Sequence, residues 1–186
     1  MKKKIILVSG YAAGGKTVFS KKLSEELGIP VFNKDDMKAV LGKYIPLPTR
    51  QESKNVSNAT VALMLHVAEN MMKTRQQFIL ESNFRENEAE ILKDLIRTYE
   101  YESFSYVLTG DLTVLHKRFV KRDNSPERDP ANKLGGLLDE FDKFAAEVSP
   151  LAEFDVGGRK MQIDTTDFER VDFSKYIRCG KSFLTE

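Results

Sequence analysis

The sequence predicts an α/β fold: a single domain, residues 1–186, built on a parallel sheet with helices on both faces. Short apolar runs rich in β-branched residues alternate along the chain with segments of helical periodicity, the pattern of a parallel sheet. A length of 186 residues suits one domain, and 41% apolar residues are enough to give it a core. We find no internal repeat or low-complexity tract that would divide the chain.

The first predicted strand and helix enclose a glycine-rich turn. Ile5 to Val8 form a continuous apolar run that ends at Ser9-Gly10, which is typical of a strand buried on both faces. In residues 17–27 the apolar side chains recur at helical spacing, and Gly28 and Pro30 end that helix. A second strand is expected at 29–32 and a second helix at 33–41.

The remaining elements continue the alternation of strands and helices. Residues 42–56 are rich in glycine, proline and polar types, and they are predicted to form a loop. Asp111 is placed to cap the helix that follows it, and the polar stretch 121–132 separates that helix from one that carries Leu137 and Phe144. Further helices are expected at 56–73, at 88–99 and from Phe168 onward, with strands at 77–80, 104–108 and 160–163.

Net charge and rare residue types exclude several kinds of site. A formal net charge of +1 gives no overall basic field that would attract nucleic acid or an anionic membrane. The single Cys179 excludes an internal disulfide and a Cys-based zinc site, and His66 and His116 lie too far apart to suggest a local metal pair. The apolar run after the basic N-terminus is too short for a secretory signal or a membrane span. A cytoplasmic location and no membrane partner are therefore expected.

The strongest motif is the glycine-rich turn itself. Residues 10–17, GYAAGGKT, fit the phosphate-loop pattern G-x-x-x-x-G-K-[ST] at every fixed position, between a predicted strand and a predicted helix. Inward-turned backbone N–H groups and the helix N-terminus favour a bound anion. Lys16 is predicted to neutralise the β- and γ-phosphates, and the Thr17 hydroxyl to ligate Mg²⁺. The predicted nucleotide-binding residues are Gly10, Ala12, Ala13, Gly14, Gly15, Lys16, Thr17 and Val18.

The phosphate loop alone does not separate kinases from GTPase switches or ATPase motors. Residues 33–36, NKDD, match the N-K-x-D guanine signature, but in GTPases that signature follows a late strand and here it lies close behind the loop. A motor ATPase is expected to place an acidic pair after a longer apolar strand, whereas Phe78 to Glu81 supplies one carboxylate. The kinase interpretation explains more residues than either alternative.

A small-molecule kinase needs a carboxylate near the carboxyl end of the second strand, because open α/β sheets bind ligands at that edge. Asp35 and Asp36 lie at this point of the sequence. One of them is expected to accept the proton of an attacking hydroxyl group. The other is expected to cap a helix that begins at Met37.

Arginines and polar residues near the other strand ends extend the predicted site. Arg118 and Arg122 are four residues apart on one helix face, in a predicted lid at about 118–132 that could close over the triphosphate. This role is favoured for Arg118 and Arg122, with Arg118 counted among the nucleotide-binding residues, and less for Arg128. After the third strand, Glu81 could hold Mg²⁺ through water or orient the acceptor. In the same segment Asn83 could bind substrate. An equally supported alternative is that Asn83 caps a helix and Phe84 is a core residue. Residues Asp164-Thr165-Thr166 are predicted to form a turn.

With these residues assembled, the chain resembles P-loop kinases of the nucleoside-monophosphate-kinase-like group, in particular the polynucleotide-kinase-like and zeta-toxin-like small ATP-binding kinases. The resemblance rests on residues 1–7, on the phosphate loop and on residues 33–38. Residues 81–84, ESNF, also resemble the family's acidic or polar motif after the third strand. It implies the strand order 2-3-1-4-5, ATP with Mg²⁺ as the phosphate donor, Asp35 as general base and Lys38 as a substrate-binding residue. It also implies that the two predicted lid arginines contact the triphosphate.

Two features depart from this family pattern. Lys38 stands where arginine is usual and lacks the bidentate fork that grips phosphate. Residues 42–73, within the predicted acceptor region of about 35–75, match no motif of the family. The identity of the acceptor therefore does not follow from the resemblance.

The sequence thus predicts an ATP-dependent phosphotransferase that acts on a hydroxyl of a small-molecule or nucleotide-like acceptor. Three alternatives remain. The first is a polynucleotide 5′-hydroxyl kinase, for which nucleic acid would be a substrate only at its 5′ end. The second is a toxin-like kinase of nucleotide sugars, and the third is a nucleotide-dependent switch or binding module without an acceptor. The predicted catalytic residues are Lys16, Asp35, Arg118 and Arg122.

Overall fold

A computed structural model describes residues 3–186 and contains a five-stranded sheet in the order β2-β3-β1-β4-β5. All neighbouring strands in it are parallel. The predicted fold class and strand order are therefore confirmed. The strands are β1 (Lys4–Gly10), β2 (Val31–Asn33), β3 (Phe78–Glu81), β4 (Glu102–Thr109) and β5 (Arg159–Asp164).

Helices connect the strands and cover both faces of the sheet. Short 3₁₀ turns lie at Pro130–Asn132, Ser149–Glu153 and Phe168–Arg170. Within residues 3–186, no helix is long and apolar enough to span a bilayer. The α-helices are α1 (Lys16–Leu27), α2 (Lys34–Gly42), α3 (Arg50–Lys73), α4 (Glu86–Thr98), α5 (Leu112–Asp123), α6 (Phe141–Val148) and α7 (Phe173–Thr185).

The core has one apolar cluster on each face of the sheet, because successive side chains of a strand point to opposite faces. Ile5 and Leu7 of β1 pack with residues of α3 and α4, whereas Ile6 and Val8 pack with residues of α1 and α7. A third cluster joins α5 to α6 through side chains that include Phe144. All of β1 is buried, as its continuous apolar run predicts.

Three helix boundaries differ from the sequence predictions by more than two residues. The predicted loop 42–56 is too long, because α3 begins at Arg50, where Thr49 and Glu52 form a capping box. Leu137 was wrongly assigned to the next helix; it lies in a turn before α6. The last helix begins at Phe173 rather than Phe168, since Asp172 caps its first turn.

Candidate functional site

The phosphate loop follows β1 and needs glycine at two positions. Gly10 has φ +118°, and a Cβ atom there would lie 2.1 Å from the carbonyl oxygen of Leu108. Gly15 has φ +82°, and a Cβ atom there would lie 2.1 Å from the ring of Phe168. Ala13 also takes a left-handed φ of 60°. The backbone is therefore folded tightly in front of α1, with close neighbours from β4 and from the segment after β5.

The loop presents unpaired donors at the start of α1. The backbone amides of Lys16 and Thr17 donate to no acceptor within residues 3–186, as expected for the first turn of a helix. The Lys16 ammonium is buried and donates to the carbonyls of Gly10, at 3.1 Å, and Tyr11, at 2.7 Å. Burial lowers the pKa of Lys16 to about 8, although the nearby Glu81 carboxylate opposes this shift. These donors form a cradle suited to phosphate.

Glu81, at the end of β3, faces the same cradle. Its side chain is buried, and the Ser20 hydroxyl of α1 donates to Oε2 at 3.3 Å. Burial raises the pKa of Glu81 to about 7, although Lys16 opposes this shift too. The Thr17 hydroxyl lies between Glu81 and Asn33, whose Nδ2 donates to Thr17 Oγ1 at 3.3 Å. Within residues 3–186, no three His, Cys, Asp or Glu side chains gather into a metal cluster. The role of Thr17 and Glu81 toward Mg²⁺ stays a prediction.

Asp35 lies in the first turn of α2, directly after β2, and its carboxylate has two cationic neighbours. Arg128 Nη2 donates to Oδ2 at 3.2 Å, and Lys34 Nζ donates to Oδ1 at 3.3 Å. Burial alone would raise the pKa of Asp35, but Lys34 and Arg128 outweigh it and hold the pKa below its ordinary value. The side chain keeps 41% of its surface exposed, so it can meet a ligand.

Asn33, and neither aspartate, caps the second helix, so the prediction of an aspartate cap at Met37 was wrong. Asn33 Oδ1 accepts from the amide of Asp36 at 2.9 Å, and α2 begins at Lys34. Asp36 instead lies exposed in an ion pair with Lys21 at 2.9 Å. Asp35 is therefore the member of the pair that belongs to the site.

The two predicted lid arginines take different places. Arg118 donates to the carbonyls of Thr165 and Thr166, both at 2.6 Å, and so holds the turn after β5. That turn, predicted from the sequence, is closed by Asp164 Oδ1, which accepts from the amide of Thr166 at 2.8 Å. Arg122, one helical turn further, makes no side-chain hydrogen bond within the described chain and interacts electrostatically with Lys16, Asp35 and Glu81.

A cavity of about 520 Å³ beside the phosphate loop is bordered by Tyr11, Gly110 and Asp164. It lies at the carboxyl ends of β4 and β5, next to the turn that Arg118 holds. A second cavity, of about 300 Å³ beside Tyr101 and Arg159, contains none of the predicted site residues.

Arg128 and Asn132 join the site although the sequence favoured Arg128 less and gave Asn132 no role. Asn132 Nδ2 donates to the backbone carbonyl of Asp35 at 2.8 Å, and Arg128 Nη2 donates to the Asn132 carbonyl at 3.1 Å. A Cβ atom at Gly42 would lie 2.6 Å from Cβ of Ala131, so α2 and the 3₁₀ turn pack closely. Pro130, which opens that turn, was a visible signal for a break, but nothing in the sequence placed it against α2.

The two other predicted substrate-binding residues have opposite surroundings. Lys38 is buried one turn after Asp35, and its ammonium donates to Ser53 Oγ of α3 at 2.9 Å. Asn83 is exposed and forms no side-chain hydrogen bond within residues 3–186, and α4 is capped at Arg85 rather than at Asn83. Phe84 is a core residue, as the alternative interpretation predicted. The structure thus brings Lys38 to the site and leaves Asn83 outside its contacts.

The strand order, the phosphate loop and the helix that follows it define a P-loop kinase fold. The chain belongs to the AAA domain family (AAA_33), whose sequence pattern matches residues 5–144. That match runs from β1 into the first half of α6 and includes the phosphate loop, Asp35, Arg118 and Arg122. No curated protein matches the chain significantly.

Solved structures of small kinases share the fold over nearly the whole chain. A candidate kinase from Chloroflexus aurantiacus is 23% identical, with a TM-score of 0.87 and 98% of each chain covered. Shikimate kinase from Acinetobacter baumannii is 14% identical, with a TM-score of 0.61 over 100% of this chain and 94% of that chain. A gluconokinase from Sinorhizobium meliloti is 14% identical, with a TM-score of 0.58 over 98% and 93%. At these identities the similarity establishes the fold alone.

Proposed function

We propose that the protein is an ATP-dependent kinase that transfers the γ-phosphate to a hydroxyl group of a small molecule. The observation that carries the proposal is the position of Asp35, a partly exposed carboxylate held beside the phosphate-loop cradle and close enough to Lys16 to act on its charge. A switch or binding module would not need a carboxylate there. Neighbours that share the fold include a sugar kinase, a gluconokinase and a shikimate kinase, which supports a small hydroxylated acceptor.

The residues of the site fit a nucleoside triphosphate with Mg²⁺. The unpaired amides of Lys16 and Thr17, the buried ammonium and Arg122 supply positive potential for phosphate, and the Thr17 hydroxyl and Glu81 supply oxygen ligands. Mg²⁺, when bound, would neutralise charge on the β- and γ-phosphates. Lys16 would then exchange its loop carbonyls for phosphate oxygens, which accept from the same ammonium.

In the proposed reaction, Asp35 takes the proton of the acceptor hydroxyl as the new O–P bond forms and the bond to the leaving ADP breaks. The carboxylate must be ionised to do so, and the cations Lys34 and Arg128 keep it ionised at neutral pH. Arg122 lies over the Phe119 ring and makes no hydrogen bond or ion pair within residues 3–186, so its guanidinium is placed to stabilise the negative charge that spreads over the transferred group. Each oxygen of an ionised carboxylate can accept a second hydrogen bond, so the hydroxyl can reach Asp35 while Arg128 keeps its bond to Oδ2.

ADP release from Mg·ATP, measured across a panel of hydroxylated acceptors, tests this proposal. Sugars, sugar acids, nucleosides, amino-alcohols and 5′-hydroxyl oligonucleotides cover the small-molecule and polynucleotide alternatives. We expect one class of small molecule to raise ADP release well above background hydrolysis. Tight nucleotide binding with no acceleration by any acceptor would favour a nucleotide-dependent switch, and acceleration by oligonucleotides alone would favour a 5′-hydroxyl kinase.

The two lid arginines are expected to affect different kinetic constants. Arg118→Ala removes two hydrogen bonds from the turn beside the 520 Å³ cavity, where we place the nucleotide base. It should raise the KM for the nucleotide about tenfold, with kcat little changed. Arg122→Ala removes charge stabilisation in the transition state and should lower kcat by roughly 10²-fold. Lys117→Ala, at an exposed position of the same helix, is the control. Equal effects of both arginine variants on the same constant would contradict this division.

Binding of the nucleotide with Mg²⁺ should be tightest between about pH 7 and about 8. Below this window Glu81, whose pKa is raised to about 7, takes up a proton and loses its affinity for a cation. Above it Lys16, whose pKa is lowered to about 8, loses its charge, although bound phosphate would move this limb upward. Calorimetric titrations across the neutral range measure both limbs. In Glu81→Gln the loss of binding at low pH that is due to Glu81 should disappear, whereas the loss at high pH should remain. The pH dependence of the nucleotide's own ionisation is the same in both proteins. An unchanged low-pH dependence would contradict the assignment of that titration to Glu81.

A further inference from the structure

Three polar side chains surround Asp35 with hydrogen-bonding capacity that the protein does not use. They are Lys38 of α2, and Arg128 and Asn132 of the segment that packs on α2. Asp35 and Lys38 are three residues apart and share a face of the helix. We call this group the acceptor subsite: Asp35, Lys38, Arg128 and Asn132.

Lys38 is a buried cation without a carboxylate partner. Its residue surface is 4% exposed, and its ammonium donates to a neutral hydroxyl, that of Ser53, while no carboxylate of the described chain lies within ion-pair distance. Three further cations, Lys34, Arg50 and Arg128, act on its charge, and Asp35 is the carboxylate that offsets them. Burial, followed by the nearby Lys34, lowers the pKa of Lys38 to about 8. A buried ammonium with unused donors is costly for the protein unless a ligand supplies negative charge.

Arg128 and Asn132 each leave one buried atom without a partner. The two hydrogen bonds of Arg128 to Asp35 and to the Asn132 carbonyl both use Nη2, and its Nε is buried and unpaired. Asn132 Oδ1 is likewise buried and unpaired. The orientation of this amide is fixed, because the Asp35 carbonyl on its other side can only accept and therefore requires the NH₂ group. Such unpaired atoms beside a reactive carboxylate indicate a ligand that completes them.

The unused groups specify the chemistry of that ligand. Lys38 and Arg128 Nε offer donors to an anionic oxygen, and Asn132 Oδ1 offers an acceptor to a hydroxyl. Arg128 has already committed Nη2, so it has no free fork to grip a phosphate group in the bidentate manner. The Lys38 ammonium and separate N–H donors of Arg128, without a fork, suit the two oxygens of a carboxylate better than the three of a phosphate.

We propose that the acceptor is a hydroxylated carboxylic acid, whose carboxylate binds Lys38 and Arg128 and whose second hydroxyl donates to Asn132 while the reacting hydroxyl faces Asp35. This inference rests on the proposed kinase function. It narrows the acceptor from hydroxylated molecules in general to those that carry a carboxylate.

Calorimetric binding to the full chain, with a non-hydrolysable ATP analogue and Mg²⁺ present, tests the proposal. The probes are gluconate against sorbitol and glycerate against glycerol, which differ by a carboxylate, with glucose 6-phosphate as the phosphate probe. We expect at least one carboxylate to bind about tenfold or more tighter than its neutral partner and than the phosphate. Lys38→Met should abolish this preference, and Lys38→Arg should retain it. The exposed Lys43→Met, from the end of the same helix, should leave it unchanged.

Equal binding of neutral and carboxylated probes, tighter binding of the phosphate probe, or absence of any Lys38-dependent binding would each overturn the proposal. A thermal unfolding curve for each variant shows that it is folded before its binding is measured. The readout needs no phosphoryl transfer, so failure of the two proposals can be told apart. Carboxylate binding that depends on Lys38 but leads to no ADP release would support a carboxylate-binding site at Lys38 and contradict the kinase function.

Discussion

Asp35→Asn is expected to lower phosphoryl transfer by roughly 10²- to 10⁴-fold while the nucleotide still binds. The amide keeps the size and position of the carboxylate but cannot take up the proton of the acceptor hydroxyl. The phosphate-loop amides and the Lys16 ammonium, which would hold the triphosphate, belong to a different element and stay in place. Steady-state ADP release with the true acceptor, together with a nucleotide titration, separates the two effects.

Asp36→Asn is the matched control for this variant. Asp36 is the next residue of α2, but its side chain is exposed and paired with Lys21 on the outside of the site. Its loss should leave transfer unchanged to within about twofold, since exposed ion pairs contribute little. Similar losses in both variants, or full activity in Asp35→Asn, would exclude Asp35 as the base.

Lys16→Met should reduce transfer by roughly 10²- to 10³-fold, the usual effect of losing one preorganised donor to the reacting group. The same change should not destabilise the protein without nucleotide. A lysine whose pKa is lower in the folded than in the unfolded state opposes folding at neutral pH, because its charged form is disfavoured by burial. The free energy of unfolding of Lys16→Met, from urea titration, is therefore expected to equal or exceed that of the original protein.

Lys22→Met provides the control on the exposed side of the same helix. It should change neither transfer nor unfolding measurably. A large loss of stability in Lys16→Met would show that the lysine supports the empty loop through its bonds to the Gly10 and Tyr11 carbonyls. That result would contradict the view that its buried charge serves the phosphate.

The strands and the phosphate loop could be predicted because their signals are local. A strand buried on both faces, such as Ile5 to Val8, must be apolar at every position. The phosphate loop is defined by fixed spacing, and Gly10 and Gly15 are glycine for steric reasons that the backbone now shows. The start of α3 was also signalled locally by Thr49 and Glu52, but the surrounding glycine and proline residues favoured a loop.

The surroundings of Asp35 could not be predicted because they depend on contacts between distant residues. Arg128 and Asn132 reach Asp35 across more than 90 positions of sequence. Arg118 and Arg122 share a helix face, yet Arg118 hydrogen-bonds the turn after β5 whereas Arg122 lies over the Phe119 ring. This difference depends on where that turn ends. The cap by Asn33 has no distinct local signal, because asparagine and the two aspartates that follow it are equally suited to capping a helix. The catalytic and binding roles of these residues stay predictions.

The fate of the γ-phosphate tests the central claim most directly. Phosphorus NMR of a reaction containing Mg·ATP and the hydroxylated acceptors would show whether that phosphate ends on an organic hydroxyl or as inorganic phosphate. We predict a new phosphate ester that forms with ADP in equal amounts and is absent with Asp35→Asn. If inorganic phosphate is the sole product with every acceptor, or if the ester still forms at full rate in Asp35→Asn, the kinase mechanism proposed for this site is wrong.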